Sequence, residues 1–425
     1  MKNRVVITGM GVVAPNGHGL DNFEQALRDG RSGIRFFPRL EELKFSCQIG
    51  GMPEGFDDIR KSYFDHEKLM SLNDNIGYVS VSAVDAWRDA GFTLSDDDND
   101  QVHWDTGAIL GCGIGGMDTI AERVVPMVNE GKTRRMGSRI VEQVMNSGTS
   151  ARVGGLLALG NQVTSNSAAC STGTEAIVNA MWKIRTGQAK RMLAGGSEGV
   201  SPYIWAGFDS MRVIARKFND QPEKGSRPMS ASANGFVPGA GAAVLVLEEL
   251  ETALNRGARI YAEIRGGYVN SGGQSNGGSM TAPNPEGVQR CIRGALADGN
   301  TVSDEIDAIN GHLTATFADP GEIRNWSRAL NRDPQDFPYI NSTKSMIGHC
   351  LGAAGAIESV AVVLQLHNGF LHPSINCEDV HPDIEAYADK IPHTVMEFPE
   401  LKIIAKACFG FGDVNSCLIF KKWEE

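Results

Sequence analysis

Short apolar strands alternate with amphipathic helices along this chain, and past Leu250–Ala258 the alternation begins again. In the first stretch, strands are expected at Arg4–Thr8, Thr106–Gly111, Arg191–Ala194 and Ala242–Glu248, with Gln162–Ala169 extended. Apolar periodicity puts helices at Asn22–Asp29, Val79–Asp89, Ala151–Leu159 and Thr172–Thr186. Gly30, Gly91 and Gly187 supply stop signals for three of these. The second stretch repeats the scheme, with strands at Arg259–Arg265, Ile306–Gly311, Tyr339–Thr343, Lys402–Cys408 and Ser416–Lys421. Its helices are expected at Glu286–Ala297, Gly321–Leu330 and Gly352–His367. Such alternation favours α/β layers around mostly buried sheets. A shift of 180 residues lays Cys170 on Cys350, Ala176 on Ala356 and Ile177 on Ile357. At both places a small-residue turn opens a long helix, and a strand and a glycine-rich loop follow (AGGSEG, then FGFGDVN). We therefore expect two similar fused halves, 1–255 and 256–425, where length alone would allow two to four domains.

Composition narrows the function classes. With 41% hydrophobic and 21% charged residues the chain can bury a large core. A net charge of −11 argues against a nucleic-acid partner held by a global basic field. Eight cysteines form no CxxC pair and no zinc spacing, which points to a reducing compartment and to no metal. The longest charge-free apolar run, Gly235–Leu247, has 13 residues and cannot span a bilayer. The start MKNRVVITGMGVVAPNG is read as a buried strand and not as a signal peptide. A soluble, cytoplasmic protein is expected. Gly9-Met-Gly11 and Gly111–Gly116 lack the full dinucleotide-loop pattern and are read as packing turns; Asp96–Asp100 is read as a solvated loop.

Four segments carry residue types suited to chemistry. In SNSAACSTGT an extended segment reaches Cys170 and a helix then begins, which puts the sulfur at a helix N-terminus. Partial positive charge and free N–H groups there should lower the thiol pKa and can hold an oxyanion. A second strand ends at His312, followed by hydroxyls at Thr314 and Thr316. The third segment, STKSMIGHCLGAAG, sets Lys344 and His349 around a turn that opens a helix. The fourth is the loop from Cys408 through Phe411 to Asn415, able to present backbone N–H groups. A thiolate nucleophile needs cationic or donating neighbours, and two imidazoles with a lysine supply them.

Taken with RVVITGMGVVAPNG, GRSGI, GCGIGG and GFVPGAG, these segments resemble the β-ketoacyl-ACP synthases over almost the whole chain. These are the decarboxylating condensing enzymes of fatty acid and polyketide synthesis, in the thiolase-like superfamily. The resemblance implies a thiolase-like five-layered α-β-α-β-α fold from two duplicated halves. It assigns Cys170 the acyl chain, and His312 and His349 the malonyl thioester carbonyl. The N–H groups of Cys170 and Phe411 would hold the oxyanion, with Phe411 also gating the pocket. Lys344 would support the histidines, paired with Glu322; Thr314 and Thr316 would contact pantetheine; Leu110 and Phe208 would line an acyl channel. Lys68, Arg212, Arg216 and Lys217 would dock an acidic acyl carrier protein. No cofactor is implied beyond the carrier's phosphopantetheine. A homodimer is usual, and a heterodimer with a synthase-like subunit is the alternative assembly. Carrying both histidines matches the elongating type.

The chain also departs from the family pattern. Ser230, Ala233 and Asn234 replace an acidic-and-arginine stretch, Ala240 interrupts G-E-G, Leu313 follows His312 in place of glycine, and Asp413 replaces a glycine. The segment after Thr316 is one residue short, though Asp319 and Glu322 keep a D-x-x-E spacing. These changes surround the substrate entrance and point to a specialised lipid, polyene or pigment pathway. Two other readings compete: a chain-length-controlling partner subunit, which typically lacks the cysteine, and a cysteine hydrolase.

Overall fold

The computed structural model describes residues 2–94 and 101–424, so the Asp96–Asp100 loop lies outside the described residues. The first half contributes β1 (Val5–Ala14), β2 (Thr106–Cys112), β3 (Val163–Thr164), β4 (Arg191–Glu198) and β5 (Gly241–Glu249). The second contributes β6 (Ala262–Ser271), β7 (Ala308–Asn310), β8 (Tyr339–Asn341), β9 (Ile403–Gly410) and β10 (Val414–Lys422). In space the strands run β3-β2-β4-β5-β1 and β8-β7-β9-β10-β6. Both halves thus have the order 3-2-4-5-1 in their own numbering. Each pairs its second strand in parallel with the third and fourth, and its fifth antiparallel to the first and fourth. A short antiparallel register, Val6 with Glu263 and Ile7 with Ala262, joins the halves along β1 and β6.

The helices complete five layers. On one outer face α1 (Asp74–Asp89) and α2 (Gly148–Leu156) cover the first sheet. The other outer face carries α5 (Pro285–Asp298) and α6 (Asp319–Leu330), and α4 (Pro202–Ser210) lies in a separate cap. Between the sheets sit α3 (Thr172–Arg185) and α7 (Ala354–Asn368). Every residue of α7 from Ala354 to Leu366 is buried. A largely apolar helix buried around its whole circumference needs cover on all sides, which is why this sequence takes the middle layer. The central core joins Ile177 and Met181 of α3 to Val360 and Leu364 of α7 and to strand residues of both sheets.

The two central helices begin against one another. A Cβ on Gly173 would lie 2.6 Å from the backbone N of Ala356, and a Cβ on Gly355 would lie 2.6 Å from that of Thr174. The contact is reciprocal at a spacing of 182 residues. The register of the repeat is therefore two residues longer than the sequence match suggested, and Cys170 corresponds to Gly352, not to Cys350.

Most expected elements are present with slightly different ends. β1 runs on to Ala14 where the sequence suggested a stop at Thr8. Gly9 and Gly11 do not end the strand; they let α1 approach it, since added Cβ atoms would lie 2.6 Å from Ala90 N and 2.8 Å from Ala86 N. Of the extended stretch 162–169 only Val163–Thr164 pairs in the sheet. The helices Phe56–Tyr63 and Pro202–Ser210 were not expected. All eight cysteines are buried and unpaired. Among the described residues no helix is long and apolar enough to cross a membrane.

Candidate active site

The turn before α3 is built under backbone strain. Ala169 has φ +47°, a left-handed value unfavourable for a residue with a Cβ. One 3₁₀ turn, Ala169–Ser171, then leads into the helix. The Thr172 hydroxyl holds this shape, accepting from Ala168 N at 2.8 Å and donating to Ala169 O at 2.7 Å. The Ser171 hydroxyl lies 3.0 Å from Cys408 O and 3.1 Å from Val414 O, which ties the turn to the second sheet. Cys170 is thereby placed at the mouth of α3, facing residues of the other half.

His349 Nε2 lies 3.0 Å from Cys170 Sγ. Its Nδ1 accepts the backbone N–H of Leu351 at 3.2 Å. A neutral ring with Nδ1 engaged as acceptor must carry its proton on Nε2, so His349 presents an N–H donor to the sulfur side. The His312 ring is 5.3 Å away, nearly perpendicular at 84°. Its Nδ1 is buried with no partner among the described residues. One donor atom each from Cys170, His312 and His349 fall within 4.8 Å of one another.

The loop after β7 is clamped by the two acids of the D-x-x-E spacing. Glu322 accepts the backbone N–H groups of His312 at 2.7 Å and Leu313 at 2.8 Å. Asp319 accepts those of Thr314 at 2.9 Å, Ala315 at 3.0 Å and Met229 at 2.9 Å. These bonds hold Leu313 and Ala315 at positive φ values of 21° and 64°. The Thr314 and Thr316 hydroxyls are 3.0 Å apart on the same loop. Asp413, at φ +59° in the last loop, accepts from Gln274 N and Asn284 N, each at 2.8 Å. Its carboxylate thus anchors neighbouring segments at a position where glycine would meet no strain.

Lys344 pairs with Glu358, not with Glu322. Glu322 is already engaged by two backbone N–H groups, and Glu358, one helical turn into α7, is the carboxylate within reach. The other Glu358 oxygen takes Lys406 Nζ at 2.6 Å. All three side chains are fully or almost fully buried. Burial alone would raise the Glu358 carboxyl, but the two ammoniums hold it below its ordinary value. Burial drives His349 down to about 3 and His312 far below its ordinary value, and the charge on Lys344 adds to both shifts. Both imidazoles are therefore neutral. Burial also pushes the Cys170 thiol up to about 12, against the opposing pull of Lys344 and of the Phe411 backbone N–H. The helix N-terminus was expected to lower it; burial outweighs that partial charge and raises it instead.

Three donors within 4.8 Å also match a soft-metal spacing. The two ammoniums behind them share one carboxylate, and the surplus positive charge opposes a dication there.

Phe411, partly exposed, contacts Phe208 of α4 at 6.1 Å between ring centroids. Phe208 packs on Phe236 at 5.3 Å, and Phe236 on His349 at 5.3 Å. Phe208 thus belongs to an aromatic wall beside the site. Leu110 is fully buried in the hydrophobic cluster against α1 and α2. Arg212, Arg216 and Lys217 are exposed just beyond α4 and form no ion pair among the described residues. Lys68 lies 3.4 Å from Asp65. Sequence reasoning missed Glu358, Lys406 and Glu198, whose carboxylate accepts three backbone N–H groups from Gly113, Ile114 and Gly352. A charged residue inside an apolar run, as in AIESVAVV and IIAKAC, was the available signal. A hollow of about 560 Å³ opens elsewhere, between His18, Asp85, Asp89 and Arg259, and includes none of the candidate site residues.

The family model of the β-ketoacyl synthase N-terminal domain matches residues 2–253, and that of the C-terminal domain matches 261–378. The chain belongs to the β-ketoacyl synthase family. It is 37% identical to a putative mitochondrial 3-oxoacyl-[acyl-carrier-protein] synthase of Schizosaccharomyces pombe, over 99% of each chain. A solved β-ketoacyl synthase from Burkholderia phymatum superposes with a TM-score of 0.90 at 31% identity, covering 100% of both chains. The ishigamide ketosynthase/chain length factor superposes with 0.89 at 28% identity, also over 100% of both. As a β-ketoacyl synthase with this fold, the chain is an acyl-transferring, carbon–carbon bond-forming condensing enzyme of fatty acid or polyketide synthesis.

Proposed function

We propose that Cys170 is the nucleophile and that His312 and His349 are the donors of a decarboxylative condensation. The thiol of Cys170 loses its proton as it attacks an acyl thioester, and the pantetheine thiol leaves with a proton. Malonyl thioester then enters, with its carbonyl oxygen between the two imidazoles. The C–CO₂ bond breaks, CO₂ departs, and its electron pair becomes an enolate held by the N–H groups. The enolate carbon attacks the Cys170 thioester. The resulting oxyanion is held by the N–H groups of Cys170 and Phe411, and collapse expels the Cys170 thiolate and the 3-oxoacyl product. A single oxyanion donor of this kind contributes roughly 10²–10³-fold in rate. Neutral donors in a dry pocket suit this chemistry, because they stabilise the enolate without holding the malonyl carboxylate in place.

The observation that carries this reading is the His349 tautomer, with Nδ1 engaged by Leu351 N–H and Nε2 3.0 Å from the Cys170 sulfur. Lys344 acts as a support through Glu358, Glu322 fixes the His312 loop, Thr314 and Thr316 meet pantetheine, and Phe411 gates the pocket. Substrates arrive on an acyl carrier protein, with no further cofactor. Arg212, Arg216, Lys217 and Lys68 serve as the docking residues. The repeated strand order supports a division into halves 1–255 and 256–425. The enzyme works in the cytoplasm, as a homodimer or beside a related synthase-like subunit, and the altered entrance favours a specialised pathway. Incubation with malonyl- and acyl-carrier protein should release CO₂ and yield a 3-oxoacyl product two carbons longer by mass. Thioester hydrolysis without CO₂ would instead favour a cysteine hydrolase.

A further inference from the structure

Two buried ammoniums share one carboxylate behind the active site, and the second of them has no part in the mechanism above. Lys406 lies on β9, directly opposite Asn310 of β7 in the parallel ladder, two residues before His312. Its side chain is fully buried. Nζ lies 2.6 Å from Glu358 Oε2, 3.0 Å from Ala407 O and 3.0 Å from Cys408 Sγ. Cys408, on the same face of β9, contributes its carbonyl to the Ser171 hydroxyl beside the nucleophile.

We propose that Lys406 is a positioning residue: it holds Glu358 against Lys344, and the unbalanced positive charge of the three-residue cluster acts on the reaction through His312 and His349. This rests on the condensing reading given above.

Cys408 Sγ, 3.0 Å from Lys406 Nζ, is the ionisable group nearest the cluster, and the carboxylates around it are engaged by backbone N–H groups. Glu322 is occupied by the N–H groups of His312 and Leu313. Glu198 is occupied by those of Gly113, Ile114 and Gly352, and Asp319 by those of the next loop residues. His372 is turned away, bonded to Thr343 Oγ1 and Pro373 O. The surplus charge therefore acts on the imidazoles, and both are held down by burial first and by Lys344 and Lys406 in addition. Removing one positive charge from this cluster should let both rings protonate at higher pH, where they can no longer act as neutral donors.

Lys406→Met is suited to the test because it leaves Lys344 and Glu358 as a balanced pair, and apolar replacement within a buried ionic cluster is often tolerated. The full-length enzyme is assayed for CO₂ release from malonyl-carrier protein across pH 3.5–8, with its melting temperature measured at each pH. The expected result is a parent-like fold and an acid limb of kcat displaced upward by about one pH unit, with KM little changed. Lys406→Arg should bring the limb back. Should the methionine variant not fold, Lys406→Gln carries the same comparison. An acid limb that overlays the parent's in a folded variant would reduce Lys406 to a core ion-pair partner and overturn the proposal. A parent that releases no CO₂ at any pH would instead refute the condensing reading.

Discussion

Replacing Glu358 by Gln turns the buried Lys–Glu–Lys cluster into two ammoniums facing a neutral amide. Lys344 and Lys406 are 1% and 0% exposed, so neither can reach water to recover its solvation. Breaking a buried pair by removing one partner destabilises by about 3–5 kcal/mol. Here both cations lose their partner, which puts the effect at the upper end. The unfolding entropy of a 425-residue chain is about 0.9 kcal/mol/K at the usual per-residue value. The melting temperature of Glu358→Gln should thus fall by about 5–6 °C. Differential scanning calorimetry at pH 7.5 reads this directly. Lys406→Met, which leaves a matched pair, is the internal control and should move by about 1 °C or less. If Glu358→Gln melts with the parent, or if Lys406→Met falls as far, the three side chains do not behave as one carboxylate shared between two buried cations.

Three further outcomes follow from the same contacts. His312, His349 and His372 sit below their ordinary value, so their contribution to stability is present above pH 6.5 and is lost as pH falls through the folded values. Glu198 and Glu322, both pushed up to about 7 by burial, and Asp319, also raised by burial, act in the opposite sense, and their contribution is lost as pH rises through the folded values. The urea midpoint should therefore change little between pH 6.5 and 5 and drop steeply below 4.5; a steep drop already above pH 5.5 contradicts the opposing pairs. Asp413→Ala orphans two backbone N–H groups and should cost about 2–5 kcal/mol by urea unfolding. Asp413→Gly loses the same bonds but relieves the +59° φ, so it should be more stable than the alanine variant by about 1 kcal/mol; the reverse order refutes the strain argument. Reversing Arg212 and Arg216 to Glu should raise KM for acyl-carrier protein and flatten its salt dependence, while KM for a short pantetheine thioester stays put. An equal rise for both substrates would place these arginines outside the docking surface.

The layers and the central cysteine were legible because they rest on local signals. Apolar periodicity reports which face of an element is covered, and a strand–cysteine–helix turn is contiguous in sequence. His312 and His349 were found for the same reason, each at the end of a strand or turn. What sequence reasoning got wrong was set by tertiary distance. Lys344 was paired with Glu322 because both belong to recognisable motifs, but only the packing of α7 shows that Glu358 is the carboxylate in reach. The 180-residue echo matched residue types, whereas the reciprocal glycine contacts follow backbone approach and give 182. Gly9 and Gly11 read as packing turns, and the packing is there without the turn, because the helix they admit lies about 75 residues further along. The thiol pKa went the wrong way because a helix terminus is visible in sequence and the depth of burial is not.

Acyl transfer to the protein tests the central assignment most directly. The intact chain, incubated with acyl-carrier protein and no malonyl partner, should gain the mass of one acyl group, and peptide mapping should place it on Cys170. Cys170→Ala should gain none, although seven other cysteines remain. Acylation of the alanine variant at the parent's rate would show that the nucleophile lies elsewhere.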